Sequence, residues 1–111
     1  MTTKTEFTQS EIGTLPAPVA GRTFYHDANY RGLALRVSAS GERVFYLYKK
    51  DSGRPVKQAL GSFDPNLPAS REITKGVDPI AYIGNRPPLN LKMARALAQA
   101  VANELAKGTN P

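Results

Sequence analysis

Two alternating runs joined by a Ser-Gly turn constrain this chain more than any other feature. In GLALRVS, Leu33, Leu35 and Val37 fall on one face of an extended strand, while Ala34, Arg36 and Ser38 fall on the other. After the turn Ser-Ala-Ser-Gly, RVFYLYKK places Phe45 and Leu47 on one face and Val44, Tyr46, Tyr48 and Lys50 on the opposite one. Asp51-Ser52-Gly53 then forms a three-residue hairpin connection, with a glycine able to take positive φ. The return run RPVKQAL sets Val56, Gln58 and Leu60 against Lys57 and Ala59. Pro55 cannot donate to a ladder, so this strand starts after it or lies at an edge. The expectation is a three-stranded antiparallel β-sheet with one apolar face and one basic, aromatic face. Thr23 to Asp27 is a candidate short strand at an edge, which would make a fourth.

An apolar sheet face needs a cover, and the end of the chain supplies one. Asn90 is a good N-cap for LKMARALAQAVANELAKG, and Gly108 a good C′ residue. Ala94, Leu97, Ala98, Val101 and Leu105 share one helical stripe, with Lys92, Arg95, Gln99 and Asn103 mostly away from it. That helix buries its stripe against the sheet, which gives an α+β fold. Each large side chain enclosed this way contributes roughly 1.5–3 kcal/mol before entropy is subtracted.

The other segments are less regular. Thr8-Gln9-Ser10-Glu11 has the form of a capping box opening a short N-terminal helix that stops by Gly13. LPAPVAG reads as a turn-rich linker. The stretch from Asp64 to Pro88 is a proline-rich insertion without sustained period, with a candidate short strand at Ile80–Ile83. At 111 residues the chain, 1–111, is expected to be a single domain.

Charge is concentrated where the sheet is expected. The chain holds 15 Lys and Arg against 9 Asp and Glu, a formal charge of +6, and a pI near 9.8. Between Arg22 and Lys57 there are eight basic residues and three acidic ones, so most of the excess lies there. Such a balance suits a polyanion, nucleic acid being the commonest. With no cysteine there is neither disulfide nor thiolate zinc site. His26 beside Asp27 is half of a catalytic triad without a nucleophile motif, and no phosphate-cradling glycine loop or metal-ligand cluster stands out. Neither a cofactor nor a small-molecule substrate is expected. No apolar run is long enough to span a bilayer and the first residues lack a signal peptide's apolar core, so a cytoplasmic protein is expected.

Arg36, Tyr46, Tyr48, Lys50 and Lys57 are thus expected to project together from the uncovered face. A β-ribbon fits the major groove of duplex DNA, where strand side chains reach base edges. In that setting Arg36 is placed for a bidentate contact to guanine. Tyr46 and Tyr48 suit sugar, thymine methyl or phosphate, and Arg43, Lys49 and Arg54 suit phosphates that fix register. The plainer alternative is a solvated face that serves solubility. Two further alternatives are a protein-interaction module using the sheet edge or the insertion, and a small RNA-binding domain.

The ordered set Asp27, Gly32-Leu33-Ala34-Leu35-Arg36-Val37, Ser40-Gly41, Phe45 to Lys50, Leu60-Gly61, Ala94-Arg95 and Gly108-Thr109-Asn110-Pro111 resembles the N-terminal arm-type DNA-binding domain of phage and genomic-island tyrosine integrases. FTQSEIGTL resembles that family's leading helix. Two features depart from the pattern: the 64–88 insertion, where family members pass from Leu-Gly to the helix in a few residues, and the Thr-Asn-Pro exit. The resemblance implies site-specific recombination, in which the arm domain binds accessory DNA sites flanking the crossover point. Cleavage would belong to later domains carrying the catalytic tyrosine, so this chain is not expected to be an enzyme by itself. Its implied partners are duplex DNA and the remainder of an integrase chain or other recombinase subunits, with no membrane.

Overall fold

The computed structural model describes residues 2–30, 32–51, 54–73 and 76–106, with side chains given for all of these but 2–4, 49–51, 54–56, 105 and 106. The fold is α+β. Six strands lie side by side in chain order: β1 (Thr2–Thr5), β2 (Arg22–Asp27), β3 (Leu33–Ser38), β4 (Arg43–Asp51), β5 (Arg54–Phe63) and β6 (Pro88–Leu89). The central pairings β2–β3, β3–β4 and β4–β5 are antiparallel, and the outer pairings β1–β2 and β5–β6 are parallel. A helix α1 (Pro79–Ile83) precedes β6, and α2 (Leu91–Ala106) follows it.

The three expected strands are β3, β4 and β5, and the structure extends the sheet beyond them on both sides. Thr23–Asp27 lies within β2 and is not an edge, because β1 pairs with it from Thr2 to Thr5. β1 reads TTKT, a polar run with no alternation for sequence analysis to detect. The hairpin is also tighter than expected, since Asp51 itself pairs with Arg54; its tip, 52–53, lies outside the described residues. The C′ position expected at Gly108 lies outside them too.

The core forms on one side of this sheet. Leu33, Leu35, Val37, Phe45, Leu47 and Leu60 meet Leu91, Met93, Ala94, Leu97, Ala98 and Val101 of α2, all buried. Both parallel connections cross this same side, because Phe7 and Ile12 from the first and Ile83 from the second join the cluster. In place of the expected helix stopping by Gly13, the first crossover has a turn closed by the Thr8 hydroxyl, which accepts from the Glu11 amide at 3.1 Å, and then a 3-10 helix at Ile12–Thr14 without a side-chain cap. The LPAP linker is held beneath the sheet by two hydrogen bonds: Tyr25 Oη donates to the Pro16 carbonyl, and Arg43 Nη2 to the Leu15 carbonyl, both at 2.8 Å.

The second crossover is more ordered than its composition indicates. Asp78 caps α1 by accepting from the Ile80 amide at 3.0 Å, and Pro79 follows at the first helical position, so 80–83 is helical rather than extended. Ile73, Ile80 and Tyr82 pack against the core. Asn90, wholly buried, caps α2 through Oδ1, which accepts from the Met93 amide at 2.7 Å. Its Nδ2 donates to the carbonyls of Pro68 and Arg71 at 2.7 and 3.1 Å, tying the crossover to the helix start. At Leu60-Gly61 the β4–β5 register shifts. Leu60 fills the core and Gly61 lets the returning chain approach: a Cβ there would collide with the Pro87 carbonyl oxygen.

Candidate nucleic-acid interface

The face opposite α2 is set by strand register. Phe24 pairs with Arg36, His26 with Ala34, Ala34 with Tyr46, and Tyr48 with Lys57. Because paired residues project to the same side of a sheet, Arg22, Phe24 and His26 of β2 join Arg36, Tyr46, Tyr48 and Lys57 there. No described helix packs on this side.

The rings form one continuous cluster. Phe24 meets Tyr46 and Tyr48 edge to face, with centroids 5.6 and 6.0 Å apart, and His26 meets Tyr48 at 4.9 Å. The contacts seal the base of the layer, since Ala34 and Val44 on this face are fully buried while the four rings stay half-buried. The exposed Lys57 leans over them, its Nζ 5.1 Å from the Phe24 centroid and 5.2 Å from that of Tyr48. Each cation–π contact of this exposed kind contributes about 0.5–1 kcal/mol, enough to hold the ammonium over the rings without removing it from water.

Arg36 is differently placed. Its Nη1 donates to Tyr46 Oη at 2.9 Å, its Nη2 pairs with Glu42 Oε1 at 2.8 Å, and its side chain is only 13% exposed. The guanidinium lies 5.4 Å from the Tyr46 centroid. Each Nη thus makes one hydrogen bond within the protein, two of the five N–H donors of the guanidinium, and its Nε is buried without a partner among the described residues.

Of the expected site residues, the structure brings Arg36, Tyr46, Tyr48 and Lys57 onto one face. Arg43 is not among them: it shares its side with Phe45 and Leu47 and is spent on the Leu15 carbonyl. Lys49, Lys50 and Arg54 stand on the β4–β5 ribbon, opposite Val56, Pro55 and Asp51, but their side chains lie outside the described residues. Sequence reading missed Phe24 and His26. Their two-residue spacing in β2 carried the signal, which was hidden by treating that strand as a marginal edge.

His26 and Asp27 face opposite ways. Asp27 is buried on the helix side, where it meets Arg95, so the adjacent pair does not form the His–Asp half of a triad. Among the described residues no group of three His, Asp or Glu could hold a metal ion, and no helix is long and apolar enough to cross a membrane. Comparison with known protein families, curated proteins and solved structures finds no match to this chain.

Proposed function

We propose that the chain binds duplex DNA through the aromatic face of its sheet, sequence-specifically, at arm-type accessory sites of phage or genomic-island integration and excision. The observation that carries this reading is Lys57 held over a half-buried cluster of Phe24, His26, Tyr46 and Tyr48 on the side that α2 leaves open. A strand face bearing a cation among ring edges and phenolic oxygens suits the chemistry of the major groove, with bases ahead and phosphates on both flanks. The positive charge of residues 22–57 adds long-range attraction to a polyanion. Lys49, Lys50 and Arg54 are proposed to continue the contact along the β4–β5 ribbon. The resemblance to integrase arm domains supplies the recombination setting. The chain is proposed as a non-catalytic, cytoplasmic part of that machinery, with cleavage carried by other recombinase domains.

Two rivals are less well supported. Single-stranded RNA binds best where ring faces fan out as separate stacking platforms, whereas these rings are propped edge to face against one another. A protein-docking role for 64–88 has to contend with the inward direction of that segment's contacts, toward the core and Asn90.

Fluorescence anisotropy with labelled duplex DNA and single-stranded RNA tests the reading. Wild-type protein should prefer the duplex and lose affinity steeply between about 50 and 200 mM salt. Lys57→Ala should flatten the log–log salt slope by about 0.9, the signature of one phosphate contact. Preference for RNA, or binding that ignores both salt and Lys57, would set the proposal aside.

A further inference from the structure

We infer that Arg36 is a positioning residue on this face, and that the group it presents to DNA is the Tyr46 hydroxyl, donating to a backbone phosphate oxygen. The inference rests on the DNA-binding reading above and replaces a direct guanine contact by Arg36 with an indirect role. Three observations carry it. Arg36 is largely covered, and each of its Nη atoms is anchored by one hydrogen bond, to Tyr46 Oη and to Glu42, which fixes the guanidinium in place. The Tyr46 oxygen is already accepting from Nη1, so its own hydrogen points away from Arg36, and no described residue accepts it. The ring itself cannot swing freely, since Phe24 abuts it edge to face at 5.6 Å and the guanidinium lies 5.4 Å from its centroid.

The chemistry follows from polarity. A phenol oxygen that accepts from a guanidinium loses electron density, which makes its O–H a stronger donor toward an anion. Glu42 neutralises Arg36 and fixes the far end of its fork, so the arginine serves as a rigid strut between the β3–β4 turn and the tyrosine. A phosphate oxygen is the ligand such a lone, polarised donor suits. It accepts without needing a donor in return, and its recognition is independent of base sequence.

The test is a double-mutant cycle against a random-sequence duplex at several salt concentrations. Tyr46→Phe keeps the ring and removes the hydroxyl. It should weaken binding about 3- to 10-fold, the size of one net hydrogen bond, and leave the salt slope unchanged because no cation is lost. Arg36→Gln in the Tyr46→Phe background should then change neither affinity nor slope. A further loss with a slope reduced by about 0.9 would show that Arg36 meets phosphate itself, and would overturn the inference while leaving DNA binding intact. Should the arginine variants fail to fold, Tyr46→Phe alone decides: wild-type affinity in that variant also overturns it. No duplex binding by the wild-type protein removes the parent reading and this one together.

Discussion

Asp27 and Arg95, 68 residues apart in the chain, form an ion pair at the end of the sheet, with Asp27 Oδ2 3.0 Å from Arg95 Nη2 and 3.1 Å from Nε. Asp27 Oδ1 accepts from the Asn29 amide at 3.0 Å and from the Phe7 amide at 3.4 Å, while Arg95 Nη2 donates to the Phe7 carbonyl at 3.1 Å. One carboxylate thus joins β2, the first crossover and α2. The pair ties α2 to the core side of the sheet, the side opposite the aromatic cluster.

Breaking this pair should be costly. Asp27→Ala leaves a guanidinium and two amides without their acceptor. Because Arg95 keeps 31% of its side chain in solvent, the loss should be about 2–4 kcal/mol, somewhat below that of a fully enclosed pair. Urea unfolding reads it directly. Asp27→Ala and Arg95→Ala combined should cost less than the sum of the single changes.

Asn90 separates two roles by substitution. Asn90→Asp retains the oxygen that caps α2 but loses the donors to Pro68 and Arg71 and turns a buried carboxylate oxygen toward their carbonyls. It should free the 64–88 crossover for proteolysis. Asn90→Ala loses the cap, about 1 kcal/mol, as well as both donors, but buries no charge, so it should destabilise no more than Asn90→Asp. Equal cleavage rates in Asn90→Asp and wild type would contradict this division of labour.

Gly61→Ala should disturb the β5–β6 edge, since the new methyl meets the Pro87 carbonyl and the Leu89 side chain. Overpacking of this kind costs about 1–3 kcal/mol. Hydrogen exchange should quicken at the amides of Ser62 and Asp64, which donate to Pro87 and Leu89 carbonyls.

Tyr30 gives a dependence on alkaline pH. Burial raises its phenol above the ordinary 10.0, with Arg95 opposing the rise. A group whose folded pKa is raised contributes stability below the unfolded value and loses it as pH climbs through the folded one. Stability should therefore fall above about pH 10, and Tyr30→Phe should reduce that fall. Ultraviolet titration should show the Tyr30 phenol ionising later than in the unfolded chain, as the difference between wild type and Tyr30→Phe.

The strands β3, β4 and β5 and the helix α2 were legible because each carries a clear period, of two or of 3.6 residues, from apolar side chains such as Leu33, Leu35 and Leu97. The outer strands were not: TTKT has no apolar member, and Pro88–Leu89 is too short for a pattern. Ile80–Ile83 was misread because its isoleucines favour strands, while Asp78-Pro79 starts a helix. On the candidate site, parity alone placed Tyr46, Tyr48 and Lys57 together. Parity also puts Arg43 beside Phe45 and Leu47, away from them. The engagement of Arg36 by Glu42 depended on the geometry of the turn at Ser40-Gly41, which residue spacing does not define.

The most direct measurement for the binding face is an NMR titration of the protein with duplex DNA. Amide shifts should concentrate on β2, β3, β4 and β5, and the Phe24, His26, Tyr46 and Tyr48 rings should shift with them. Shifts gathered on α2 or on residues 64–88, with these four rings unmoved, would contradict the proposed face.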